Sequence, residues 1–294
     1  MGGCRLENYQ ELQQKMEAAG YLTSEEVAVV VYLALKLNKP LLIEGPPGVG
    51  KTELAKVLAQ VLNTDLIRLQ CYEGLDEAKA LYEWNYHKQL IAIQSSSFTE
   101  KNVFSEDYLL ERPLLKALRA VKSPVLLIDE IDKVDEEFEA FLYEILSDFQ
   151  VSIPEYGTVK SQQLPVVVLT SNGSRELSDG LKRRAVYLYL DFPEVKLETK
   201  IILKKVPEIH AQLAGQIARA VKYLRQELDL FKPPAISETL DWARTLAALR
   251  EERLTKEFME NTIGFVLKNK EDIEVFREKG GAKRLLQYLN EGVE

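Results

Sequence analysis

Apolar and polar positions along the chain follow two grammars that change over near residue 193. In the first, short apolar runs alternate with longer amphipathic stretches. Residues 41–43, 65–70, 125–128, 166–169 and 186–190 read as strands, with helical patterns between most of them. Residues 5–19 predict a polar-rich amphipathic helix that stops at Gly20. A second helix, opened by Thr23 and Glu26 in capping-box spacing, runs to about Leu37. Pro40 ends it, and Leu41-Leu42-Ile43 leads into Gly45 as a buried strand leads into a tight turn. Such alternation predicts a parallel, doubly wound α/β sheet covered by helices on both faces.

Beyond residue 193 the period becomes helical throughout. Residues 197–206, 208–228, 237–249, 256–267 and 282–289 predict helices, with Lys232-Pro233-Pro234 as an internal break. We therefore expect an α/β domain over 1–193 and a smaller all-helical domain over 194–294, with no internal repeat.

Composition narrows the picture by exclusion. At 46% apolar and 29% charged residues the chain is of ordinary globular type. Its longest near-uninterrupted apolar run, 27–35, is far short of the roughly 18 to 20 residues of a spanning helix. The N-terminus lacks the apolar core of a signal peptide, so the expected location is cytoplasmic. Cys4 and Cys71 stand apart, with no second ligand at metal spacing, which argues against a disulfide framework or a zinc site. His87 and His210 are isolated, so chemistry rests on carboxylates, lysine, arginine and backbone. A net charge of −8 disfavours nucleic acid as a partner.

Gly45-Pro46-Pro47-Gly48-Val49-Gly50-Lys51-Thr52 satisfies G-x-x-x-x-G-K-[ST] between an apolar strand and a helical pattern that starts at Glu53. Glycines let backbone N–H groups turn toward phosphate, the helix N-terminus adds its dipole, Lys51 reaches the terminal phosphates and Thr52 offers a hydroxyl to Mg²⁺. Val125-Leu126-Leu127-Ile128-Asp129-Glu130 is a buried strand ending in two carboxylates at the edge where parallel sheets bind ligands. Asp129 is expected to hold the metal's hydration shell, and Glu130, pointing the other way along the strand, to polarise the attacking water. Val166–Leu169 followed by Thr170-Ser171-Asn172 repeats the design with a polar tip, where the Asn172 amide can orient water against the γ-phosphate; a plain Asn-Gly turn is the alternative. Leu181-Lys182-Arg183-Arg184 precedes the next strand. It is either a solvated basic face or the source of an arginine that completes a neighbouring subunit's site, with Arg184 the better placed.

In this order the motifs resemble those of the AAA+ ATPases across essentially the whole chain. The resemblance makes Gly45–Thr52 Walker A, Asp129-Glu130 Walker B, Asn172 sensor 1, and Arg183 or Arg184 the arginine finger. Arg68-Leu69-Gln70-Cys71-Tyr72-Glu73-Gly74, 81–86, 111–115 and 153–157 further resemble the MoxR group, closest to members associated with aerobic carbon monoxide dehydrogenase and related molybdenum hydroxylases. That resemblance implies a ring, usually a hexamer, of chaperone-like ATPases that mature a metalloenzyme client with a von Willebrand factor A domain partner. It also implies a helix-2 insertion at about 73–105 and a hairpin at 151–160. One departure stands out: Ser237-Glu238-Thr239 lies where the family places a sensor 2 arginine, so that either Arg244, about a turn later, substitutes for it or the lid does not touch the γ-phosphate.

Three other readings compete. Asn269-Lys270-Glu271-Asp272 matches the guanine-reading N-K-x-D, but its place in the helical domain marks it as accidental. A nucleotide-gated binding module would need ATP without fast hydrolysis. A DNA-associated motor would share every phosphate motif. The reading adopted is an Mg-ATP hydrolase in which the loop from Gly45 to Glu53 and Asp129 bind nucleotide, Thr52 and Asp129 the metal, Glu130 and Asn172 the water, and Arg184 or Arg183 the developing charge.

Overall fold

The structure, a computed structural model, describes residues 6–94 and 103–291. Cys4 and residues 95–102 of the expected insertion lie outside them. The chain begins with α1 (Tyr9–Ala18), α2 (Glu25–Lys36), β1 (Leu41–Glu44), α3 (Lys51–Val61) and β2 (Leu66–Gln70). There follow α4 (Glu77–Ala80), β3 (Tyr82–Trp84), α5 (Tyr86–Gln94), β4 (Leu109–Glu111), α6 (Pro113–Arg119), β5 (Val125–Asp129) and α7 (Glu136–Asp148). Next come β6 (Gln150–Ile153), β7 (Gly157–Lys160), β8 (Val166–Ser171), α8 (Asp179–Arg184) and β9 (Val186–Tyr189). The remainder is helical: α9 (Val195–Lys205), α10 (Ala211–Gln226), α11 (Ile236–Ala248), α12 (Lys256–Thr262), α13 (Lys270–Glu278) and α14 (Gly281–Glu291).

Five strands form one sheet in the order β2-β5-β8-β1-β9, and every pairing is parallel. The doubly wound α/β expectation is met. β5 and β8 sit inside the sheet, which is why Val125–Ile128 and Val167–Leu169 are almost wholly removed from water and read as continuous apolar runs. Because all strands run one way, the polar residues that end β2, β5, β8 and β1 gather at a single edge. Register makes this concrete: Gln70 lies opposite Asp129, and Ile43 opposite Thr170.

Two small antiparallel pairs decorate this frame. β3 pairs with β4, bracketing residues 85–108, and Trp84 makes edge-on contacts with Tyr82 and Phe104. This pair was not legible in the sequence, because three-residue strands carry too few alternations to show a period of two. β6 pairs with β7 through a turn in which Glu155 and Gly157 take positive φ.

By internal contacts the chain forms two compact units. One holds the described residues up to Lys15, Glu25–Gly45 and Lys51–Tyr189. The other holds Met16–Ser24, Pro46–Gly50 and the chain from Leu190 onward. The core of the second unit surrounds the fully buried Trp242, whose indole N–H donates to the Thr262 hydroxyl at 2.7 Å. Arg225 and Glu198 meet there as a buried fork, 2.8 and 2.9 Å long, with Arg225 also donating to the Pro234 carbonyl and stacked on Phe192.

Two expectations need correction. The helix expected over 256–267 ends at Thr262 and continues only as one 3₁₀ turn, Ile263–Phe265, with Gly264 at its centre. A helix not expected, α13, starts after Asn269; its charged sequence hides the spacing of Ile273 and Phe276 that packs it on the core. No helix among the described residues is long and apolar enough to cross a membrane.

Candidate functional site

The Gly45–Thr52 segment joins β1 to α3, and α3 starts at Lys51. Gly48 and Gly50 take φ of 76° and 99°, which a side chain would strain, so the loop's curvature depends on them. Val49 is buried, while Pro47 and Gly48 are exposed and Pro46 is half-buried. Lys51 is itself buried, and its Nζ donates to the Gly45 carbonyl at 2.7 Å and to Asn172 Oδ1 at 2.8 Å. Burial pulls its pKa down, while Asp132, Asp129, Glu130 and Glu44 oppose the shift. Glu53 points elsewhere, pairing with Lys56 on its own helix.

Asp129, at the end of β5, is 2% exposed, and its carboxylate accepts from donors on three side chains among the described residues. Its Oδ1 accepts the Thr52 hydroxyl at 2.9 Å and the Thr170 hydroxyl at 2.6 Å; its Oδ2 accepts Arg68 Nε at 3.0 Å and Nη2 at 2.6 Å. Glu130 does not continue the strand alternation expected of it. It sits at φ 60°, ψ 50°, turning the chain out of β5 into the 3₁₀ turn Ile131–Lys133. Its N–H donates to the Thr170 hydroxyl at 2.9 Å, and its Oε2 accepts Gln70 Nε2 at 2.9 Å and Lys133 Nζ at 2.5 Å.

Asp132, in that same turn, ties the end of β5 to the loop after β8. Its Oδ2 accepts the N–H groups of Asn172 and Ser174 at 3.2 and 3.0 Å and the Ser174 hydroxyl at 2.6 Å. Burial raises its pKa, but these bonds outweigh it and hold the carboxyl below its ordinary range. The other oxygen, Oδ1, is buried without a hydrogen-bond partner.

Lys51, Thr52, Asp129, Glu130 and Asn172 thus lie in one cluster of two hydrogen-bonded sets, Lys51–Asn172–Asp132 and Thr52–Asp129–Thr170–Glu130, joined where Lys51 precedes Thr52 in the chain. Arg183 and Arg184 are not part of it. Arg183 is largely exposed, 3.9 Å from Asp179, whereas the Arg184 guanidinium stacks on the Tyr143 ring at 3.9 Å. Sequence reading missed Arg68, Gln70 and Thr170. Their signal was present in the alternation of β2 and the polar end of β8, but only the register beside β5 says which carboxylates they meet. Cys71, next to Gln70, is buried, and burial aided by Asp129, Asp132 and Glu130 pushes its thiol up to about 12.

Within the second unit, Arg244 pairs with Asp241 at 3.0 Å. The N-K-x-D stretch is structural: Asn269 precedes α13, and buried Asp272 accepts the N–H groups of Phe231 and Lys232 at 2.7 and 3.2 Å.

Residues 40–185 match the AAA domain family of the dynein-related subfamily. Chaperone protein ClpB of Bacillus cereus is 29% identical over 216 residues, covering 68% of this chain and 21% of ClpB, so the chain spans about a fifth of that relative. An uncharacterised protein of Staphylococcus haemolyticus is 28% identical over 241 residues, covering 79% of this chain and 84% of its own. Among solved structures, a RuvB variant of Thermotoga maritima superposes with a TM-score of 0.53 at 20% identity, covering 97% of this chain and 85% of that one, a likeness of fold. With a parallel sheet, a glycine-rich loop after its β1 strand and acids at the end of its β5 strand, the chain has the AAA+ P-loop fold, and residues 40–185 match the AAA domain family.

Proposed function

We propose that the protein binds Mg-ATP at the cluster around Lys51 and Asp129 and hydrolyses it to ADP and phosphate. The observation that carries this reading is the bonded set Lys51–Asn172 and Thr52–Asp129, which joins the phosphate loop to two neighbouring strand ends. The residues suit a hard divalent cation. Thr52 and Asp129 offer oxygen donors only, and the Thr52 hydroxyl donates its proton to Asp129, leaving its lone pairs available. Thr52 and Asp129 would hold Mg²⁺, which would supply positive charge to offset that of the phosphates. Lys51 and the loop N–H groups hold phosphate, Asn172 orients water, and Glu130 accepts its proton. Arg184 acts on a neighbouring subunit's nucleotide in a ring. Phosphoryl transfer then rests on positioning and charge neutralisation.

Within AAA+, we assign the chain to the MoxR type, a chaperone-like remodeller of a metalloenzyme or protein complex acting with a von Willebrand factor A domain partner. The stretches 68–74, 81–86, 111–115 and 153–157 support that assignment, and the chaperone name of the ClpB relative agrees with it in kind.

Steady-state ATP hydrolysis per subunit across a wide range of protein concentration, with Glu130→Gln as blank, tests the reading. Activity that rises with concentration and vanishes in the variant is expected. Arg184→Ala should lose about a hundredfold or more in turnover with nucleotide binding kept, and Arg183→Ala far less; normal hydrolysis by Arg184→Ala would remove the trans assignment. A second reading, a nucleotide-gated assembly module, is favoured by one observation: the Glu130 carboxylate is engaged by both Gln70 and Lys133. A rate equal to the blank at every concentration, with ADP still bound, would select it.

A further inference from the structure

Arg68 lies on β2, the edge strand beside β5, and the register places it opposite Leu127, with Gln70 opposite Asp129. Side chains two apart on a strand share a face, so Arg68 and Gln70 both lie on the side of the sheet where Asp129 projects. Arg68 reaches along that face and sets two nitrogens on Oδ2 of Asp129, at 3.0 and 2.6 Å. It also donates to Gln70 Oε1, and Gln70 donates in turn to Glu130. The Asp129 side chain is 3% exposed and that of Arg68 is 49% exposed, so a half-solvated guanidinium neutralises a buried carboxylate. The other donors on Asp129 are neutral hydroxyls, both on Oδ1.

We infer that Arg68 is a resident counter-cation of the metal-holding carboxylate, and that it weakens divalent metal uptake at the Thr52–Asp129 site. The inference rests on the Mg-ATP reading given above. A cation at Thr52 and Asp129 meets a carboxylate whose charge is already shared, with a like charge close by, and both effects oppose binding. Arg68 thereby makes metal loading a competition with an internal ion pair, which nucleotide phosphates help to win by supplying further negative charge. Its position on an edge strand, half in water, leaves the side chain room to withdraw without disturbing the core.

The test uses the full chain saturated with ADP and titrated with Mn²⁺, free metal being read from its paramagnetic resonance signal. In parallel, ADP binding is measured by calorimetry in chelator. Arg68→Ala and Arg68→Gln should take up Mn²⁺ about three- to tenfold more tightly than wild type, as expected for losing a partly screened like charge. Arg68→Lys, which keeps a charge but not the fork, should fall between. ADP affinity in chelator should stay within about twofold of wild type. Unchanged or weaker Mn²⁺ binding in both Arg68→Ala and Arg68→Gln would overturn the inference, as would a loss of ADP affinity in chelator, which would put Arg68 on the nucleotide instead. If wild type and Lys51→Ala alike bind no ADP, the nucleotide reading fails and this inference with it. If wild type binds ADP and only the metal comparison fails, the nucleotide reading stands alone.

Discussion

Lys51 Nζ donates a 2.8 Å hydrogen bond to the side-chain oxygen of Asn172, 121 residues further along the chain. The bond links the first residue of α3 to the loop after β8, and both partners are at the edge where polar strand ends collect. An ammonium this buried is stabilised by that amide, by the Gly45 carbonyl and by the surrounding carboxylates. Lys51→Ala should therefore abolish ADP binding measured by calorimetry, while Asn172→Ala should keep binding and lose turnover by about ten- to a thousandfold. Full hydrolysis by Asn172→Ala would remove its water-orienting role.

Glu130 holds a left-handed backbone that side chains other than glycine, asparagine and aspartate adopt at a cost. Glu130→Asn should fold with little loss, whereas Glu130→Val should be destabilised by about 1–2 kcal/mol more, because a β-branched residue is strained there. Denaturant midpoints of the two variants provide the comparison. Equal midpoints would mean that the turn relaxes freely, and the carboxylate's aim would then not be set by the backbone.

In the helical unit, Arg225 and Glu198 are 6% and 1% exposed and joined by two hydrogen bonds. Arg225→Ala leaves the Glu198 carboxylate buried and opposed only by Thr239, so it should cost about 3–5 kcal/mol of stability. The double variant Arg225→Met with Glu198→Leu should recover most of that loss, since apolar groups of similar volume replace the pair without an uncompensated charge. Thermal unfolding of the two proteins gives the answer; a double variant no better than the single would place the stability in shape, not charge.

Asp132 holds Asn172 and Ser174 through an ionised carboxylate whose folded pKa lies below its unfolded value. A depressed folded value means stability that is fully present above the unfolded pKa, about 3.9, and lost as pH falls through the lower, folded one. Asp132→Asn should thus be less stable than wild type by about 1–3 kcal/mol at pH 7, and the gap should narrow once pH falls below the unfolded value of about 3.9. Urea unfolding at both pH values measures it, and a gap independent of pH would assign the effect to packing.

Much of the fold was legible because its signals are local. The five strands of the main sheet, the phosphate loop and the acidic tip of β5 announce themselves through apolar runs, glycine spacing and paired carboxylates within a few residues. The short β3 and β4 were not, since three-residue strands show no period of two; nor were the early end of α12, next to Gly264, and α13, whose charged residues hide the spacing of Ile273 and Phe276. The N-K-x-D stretch shows the same limit from the other side. Its spacing is that of a recognition motif, but Asp272 serves the N–H groups of Phe231 and Lys232.

Spacing along the chain was sufficient to propose which residue types bind phosphate and metal, since a glycine-rich loop between strand and helix and a strand that ends in acids are properties of consecutive residues. Which groups surround those acids was decided by tertiary structure alone. Arg68, Gln70 and Thr170 reach Asp129 and Glu130 only because β2 and β8 flank β5 in parallel, in one register. A shift of one residue would turn each of them to the opposite face, and nothing in a single strand's sequence states the register of its neighbour.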